Sequence, residues 1–382
     1  MSLQSSSQQP QVEERQLPVL AWLRRTLLSE YFVLYLIIAY FIVLLFFVEG
    51  LGRPQNISNI FANTWPLFVV AIGQTFVLII AGIDLSQGAV IGLSSVFGAA
   101  IMATAAKPEV LSKSIFWGNF ITEQGGLLAN NPWALPVGIL VMIAIGLLIG
   151  LFNGICVARF NMPPFMVTLV SLMLFSALAI YLTQSENIQN LPESYIALGK
   201  GDIVSIYLGE KTESQIPRKE IYSAITYPLV IAVILGITAQ FLLTRTVFGR
   251  HVYAIGTNRK AAQISGVPGS RIIIFVYMLS GFCAAVGGIL YSARLEAGRP
   301  TLGAGTFLLD IIGATVIGGT SLFGGKGKIL WTYFGVLFFV LLANTLNLMN
   351  MSTFQIDMVK GGVILAAALL DVTRTKLLAR NT

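Results

Sequence analysis

Long apolar runs, repeated along nearly the whole chain, constrain the fold more than any other feature. They lie near 31–48, 65–81, 87–106, 133–157, 165–183, 224–244, 272–292, 308–319, 329–349 and 354–371. Most approach 18 residues, the length at which an α-helix crosses a hydrocarbon core of about 30 Å. Only 11% of the 382 residues are charged, where an average soluble domain carries about 25%. A set of two or three soluble domains is thereby excluded. The expected fold is an all-α membrane protein of about ten transmembrane helices. The run at 308–319 is too short to cross alone. It reads as a broken or half-spanning helix, or as a continuation of the Gly-rich segment 298–306.

An even number of spans puts both termini on one side, and the basic residues say which. With the termini inside, the inner segments hold fourteen basic residues and five acids, whereas the outer loops hold nine and ten. Both termini are therefore expected in the cytoplasm. The chain divides into an N-terminal tail at 1–28, a transmembrane domain at 29–372 and a C-terminal tail at 373–382. Two connections are long. The outer loop at 184–223 is polar, mixed in charge and carries a β-like run at Ile203–Tyr207; it reads as a solvated connector or a docking surface. The inner loop at 244–271 contains Asn258–Gly266, a helix-compatible stretch closed by glycine, which reads as a short amphipathic helix along the membrane face.

The net charge of +7 does not indicate a nucleic-acid partner, because the basic residues are scattered over loops with no aromatic interleaving. Cys156 and Cys283 fall inside spans and read as small apolar residues. One histidine, His251, makes no metal site. The polar start from Met1 to Pro18 contains acids and leads into a full-length span, unlike a cleavable signal.

The chemistry-bearing residues gather at breaks. Gly82-Ile-Asp-Leu-Ser86 closes one span and opens the next. Irregular backbone at membrane depth is tolerated only where protein or water covers it, so such breaks tend to mark a transport path. Its glycines allow a tight turn, and Asp84 and Ser86 can cap the following helix or line the path. Gly318–Lys328 fails the phosphate-loop spacing twice; it reads as an inner turn near headgroups or as a cytoplasmic contact. Asp310, Asp357 and Lys360 are charges inside spans and default to functional hypotheses. Asp357 and Lys360, three apart on one helix, are expected to pair, whereas Asp310 either caps its helix or faces a pore. Prolines open the fifth span at Asn161–Thr168, where Phe165 and Thr168 are expected to share a face and suit either a sugar path or a packed interface.

Taken in order, Gly82–Gly88, Pro164–Leu169, Gly256–Gly266, Asp310, Gly318–Gly327 and Val359–Leu365 resemble the permease subunits of ribose- and xylose-type sugar ABC importers. The resemblance covers roughly 30–372. It implies a ten-helix permease in the bacterial cytoplasmic membrane, working as a homo- or heterodimer. Separate cytoplasmic ATPase subunits would hold ATP and Mg, with no cofactor in this chain, and a periplasmic or surface binding protein would deliver sugar. It further implies that Asn258, Arg259, Lys260, Ala261, Ala262 and Gly266 form the helix coupled to the ATPase. By the same likeness Thr320, Ser321, Gly324 and Gly325 border that contact. From the residues themselves, Asp84, Ser86, Phe165, Thr168 and Asp310 are candidates for the translocation path. Lys260 stands where the family often has an acid, and Ser176-Ala177 where it often has Arg-Gly. The main alternative class is a stand-alone secondary carrier, for which Asp310 is the one coupling candidate. A membrane enzyme acting on lipid-linked substrates would need a nucleophile or paired carboxylates near one interface, and no convincing set is present.

Overall fold

The computed structural model describes residues 31–207 and 221–379. The expected tail at 1–28, the middle of the 184–223 loop and the last three residues lie outside them. The chain is a helical bundle with two small antiparallel hairpins. In order it forms α1 (Phe32–Leu45), α2 (Pro54–Ile79), α3 (Gln87–Met102), a single turn α4 (Pro108–Leu111), β1 (Ile121–Thr122) and β2 (Gly125–Gly126). There follow α5 (Ala134–Arg159), α6 (Pro164–Thr183), α7 (Glu193–Lys200), β3 (Asp202–Tyr207) and β4 (Ile221–Thr226). The remainder is α8 (Tyr227–Arg245), α9 (Val247–Thr257), α10 (Arg259–Ile264), α11 (Gly269–Arg294), α12 (Phe307–Ile317), α13 (Ile329–Leu348) and α14 (Thr353–Ala379). Among the described residues six helices, α2, α5, α6, α8, α11 and α13, are long and apolar enough to cross a membrane, and α1, α3 and α12 are shorter apolar helices.

The helix starts follow local chemistry. Pro54 and Pro164 occupy first-turn positions of α2 and α6, where the missing N–H would have no intrahelical partner. Thr226, Thr246 and Asn258 cap α8, α9 and α10 by accepting the N–H of Leu229, Gly249 and Ala261. α2 begins eleven residues before the apolar run predicts. Its first turns carry Asn56, Asn59 and Asn63, which dilute the hydropathy. The structure satisfies them: Asn56 and Asn344 exchange bonds of 2.9 and 2.8 Å, and Asn63 donates to the carbonyl of Asn59. At the other end α14 runs on through 373–379, which the sequence reading assigns to a tail.

α11 is the central post, packed against α2, α3 and α5. Contact with α5 is close because Gly146, Gly150 and Gly154, spaced one turn apart, face the backbone of Gly281, Tyr277 and Ile274. Any Cβ there would collide with main chain, and small residues at four-residue spacing bring backbones together in lipid. The loops sort to two sides. On one, Thr104 bonds Asn190, Ser114 bonds Leu182, and Ile188 and Gly298 exchange two bonds of 2.9 Å. This is the hairpin side. On the other, the Gly82 break, α9, α10 and the turn 318–328 meet. Tyr31 rests on Trp331 at 5.2 Å between ring centroids, so α1 starts on that second side.

Candidate functional site

The break after α2 folds back into the bundle and delivers Asp84 to a fully buried polar cluster. Ala81, at φ 59°, makes the left-handed turn that the sequence reading assigns to glycine. Gly82 is required for space instead, since a Cβ would press on the Tyr277 hydroxyl and Val77. Asp84 accepts from the Ser86 N–H at 2.9 Å and its hydroxyl at 2.6 Å, and from the Ser280 hydroxyl of α11 at 2.6 Å. The Ser86 oxygen in turn accepts from Asn153 of α5 at 2.8 Å. Asn153 accepts from Ser171 of α6 at 2.5 Å, and Gln87 donates to Ser280 at 2.9 Å. Thr168 closes the set by donating to the carbonyl of Ile83 at 3.0 Å. Four helices and the break are thus tied through one carboxylate. The capping role expected of Asp84 and Ser86 is not what they do. Neither side chain accepts an N–H from inside α3; both are spent on tertiary bonds, because Ser280 and Asn153 offer partners at a depth where water does not.

The second glycine-rich segment lies on the same helix. Residues 298–306 run down α3 with the carbonyls of Pro300 and Gly303 against Gly92 and Gly88. Ser95 donates to the carbonyl of Arg299 at 3.0 Å and accepts its N–H at 3.1 Å. α12 therefore starts partway into the bundle, as the short eighth run implies. Asp310 does not cap it. Lys360 of α14 donates to Asp310 Oδ2 at 2.7 Å, while Asp357 accepts from Thr306 at 3.2 Å. The expected Asp357–Lys360 pair is replaced by bonds across two helices, in which Lys360 meets Asp310 and Asp357 meets Thr306. Phe165 and Thr168 also part company: Thr168 is buried and Phe165 is 48% exposed.

On the opposite side, the inner turn is built into the bundle rather than hung from it. The Gly325 N–H donates to the carbonyl of Ile79, the last residue of α2, at 2.8 Å, and Gly324 touches Ala81. α9 completes the junction. The Tyr253 hydroxyl donates to the carbonyl of Gly327 at 2.6 Å, and Gly256 sits so close to Ile79 and Gly325 that no Cβ fits. Partial burial raises the pKa of Tyr253 and keeps it a donor. Thr320 and Ser321 are buried within this turn. Beyond Asn258 the chain turns into α10, whose Ala262 faces inward while Arg259, Lys260, Ala261 and Gln263 are exposed and Ile264 is 88% exposed. Gly266, at φ 80°, ends the loop as its position predicts. The single helix expected across 258–266 is shorter than supposed and hinged to α9 at Asn258. Gly256 opens the motif Gly256–Gly266, but Tyr253 and Ile79, which build the junction with it, carry no sequence signal.

This architecture, with re-entrant breaks, buried polar bonds and a small exposed helix, is that of a multi-pass membrane protein. The family described as branched-chain amino acid transport system / permease component matches residues 56–368, and the chain belongs to it. The chain is 31% identical over 364 residues to a xylose transport system permease protein of Haemophilus influenzae, covering 84% of this chain and 90% of that one. It is 33% identical over 321 residues to a ribose import permease protein of Bacillus subtilis, covering 84% and 85%. A D-allose transport system permease protein of Escherichia coli is 29% identical over 343 residues, covering 90% of each. No solved structure matches this chain.

Proposed function

We infer that this chain is the membrane permease of a bacterial ABC importer for a monosaccharide or related polyol. It is a multi-pass protein of the cytoplasmic membrane and a transport component, with ATP hydrolysis in a separate subunit. The sugar specificity of its relatives supports this reading. α1–α3, α5, α6, α8 and α11–α14 supply the ten crossings, with both termini and α10 in the cytoplasm and the hairpin side outside. A second permease copy and a sugar-binding protein complete the assembly, the latter approaching the hairpin side.

One observation carries the mechanism: the junction of α9, the inner turn and the end of α2. ATP and Mg are held by the ATPase subunits. α10, docked through Arg259, Lys260, Gln263 and Ile264, moves with them. α9 passes the movement through Gly256 to Gly325 and Ile79 at once. Ile79 leads within five residues to Asp84, so a shift there reaches α5, α6 and α11 through the buried bonds. Alternating access follows when these helices change which side of the path is open.

The test is co-purification from gently solubilised membranes. The ATPase subunit should accompany the wild-type chain and be lost from Ile264→Asp and Arg259→Glu, both exposed. A chain that purifies alone and still transports without ATP would instead be a secondary carrier.

A further inference from the structure

A cavity of about 280 Å³ opens between α2, α11, α12, α13 and α14, among Asn63, Tyr291, Phe307, Asp310, Asn347 and Lys360. It lies toward the end where α2 begins and α13 ends, away from the junction with α9. Its size is at the lower edge of the roughly 300–1,000 Å³ of small-molecule sites, which suits one sugar ring better than a larger solute.

Its chemistry is amphipathic. Tyr291 and Phe307 meet edge to face at 5.3 Å and give one apolar wall, to which Phe339 and Leu67 add. Asp310 supplies the strongest acceptor. Its Oδ2 is taken by Lys360, but Oδ1 is buried and has no partner. A buried acceptor left without a donor costs free energy, so an incoming O–H gains from meeting it. Asn63 and Asn347 each spend one amide N–H on their own helix, on the carbonyls of Asn59 and Ala343, both at 2.9 Å. That leaves amide groups at the cavity able to accept and donate. Asn344 is engaged with Asn56. Apolar faces with a few convergent donors and acceptors recognise a ring that is apolar on its faces and hydroxylated at its edge.

The charges argue against an amino acid. A zwitterion needs a free cation on the wall to meet its carboxylate. Here the one cation among the described residues of the wall, Lys360, is already held by Asp310. We propose that this cavity is a transfer site for a neutral polyhydroxylated solute of monosaccharide size, bound through Asp310, Asn63 and Asn347 against the Tyr291–Phe307 wall. Its place in transport rests on the sugar-permease reading; its ligand class is read from the wall itself.

The full chain in lipid nanodiscs is probed by saturation-transfer NMR with D-ribose, D-xylose, D-allose and L-leucine. At least one sugar should take up saturation, and leucine should not. Ala343→Leu, which fills the cavity, should abolish the sugar signal. Asn347→Leu, an exposed position, should weaken it about fivefold, the size of one net hydrogen bond. A sugar signal unchanged in both variants, no signal from any sugar, or displacement of sugar by leucine overturns the site. Uptake by the assembled importer separates the two readings. Sugar uptake intact in both variants sinks the cavity and leaves the permease reading standing, whereas leucine uptake in place of sugar overturns both.

Discussion

Asp84 shows how much one residue carries. It joins Ser86 and Ser280 directly, Asn153 and Gln87 at one remove, and Ser171 at two, through Asn153. Charge-assisted bonds are stronger than neutral ones, and each donor left unpaired in a buried site is costly. Asp84→Ala should therefore destabilise the folded protein by about 3 kcal/mol, read as a lower Tm in detergent micelles. Asp84→Asn, which keeps an acceptor for Ser86, should lose less. Equal loss in both would show that the charge, not the bonding pattern, dominates. The carboxylate and its break were visible in the sequence at Gly82–Ser86. Its partners were not, since Ser280 lies 196 residues away and reads as one serine in an apolar run.

At the scale of elements, α12 is held by bonds from two directions. Its entry segment lies on α3 through Ser95 and Arg299, and its first turn is clamped to α14 by Lys360 and Asp310, whose side chains are only 13% and 17% exposed. A paired charge in such a setting becomes a liability when its partner is removed. Lys360→Met should cost about 3 kcal/mol, and adding Asp310→Asn should recover most of it. A double-mutant cycle on thermal unfolding measures the difference, and additive losses would mean the two groups do not sense each other. Periodicity placed both charges inside spans. It could not say that α14 brings Lys360 to Asp310 and Asp357 to Thr306, because that depends on how two helices cross.

Over the whole molecule, the two sides differ in build. The hairpin side is a quilt of backbone bonds among 104–126, 182–192 and 298, with Tyr195 of α7 held 2.6 Å from Ser292 and Lys200 paired with Glu296. The other side is a compact joint at Gly256. Gly256→Val should push α9 away from Ile79 and Gly325, at an overpacking cost worth roughly an order of magnitude in transport. ATPase turnover should continue, and the ATPase should still co-purify because α10 is untouched. Loss of co-purification would place the defect in folding of the loop instead. α14 meanwhile shows Phe354, Met358 and Leu365 at 83, 76 and 62% exposure beside Gly361 and Gly362, where an added Cβ would meet only open space. An apolar face of this kind is at rest against lipid tails or a second copy.

By itself the sequence determined the membrane class, the apolar runs, the short eighth helix and an order of motifs that resembles sugar permeases. These follow from hydropathy and glycine placement, which are local. Only the tertiary structure decided that α2 starts at Pro54, that Lys360 chooses Asp310, that Ala262 faces inward and that α9, the inner turn and the Gly82 break form one joint. The reason is physical. In a bilayer every buried polar group must find a partner inside the protein, and the partner that satisfies it is fixed by helix packing across hundreds of residues, which no local pattern encodes.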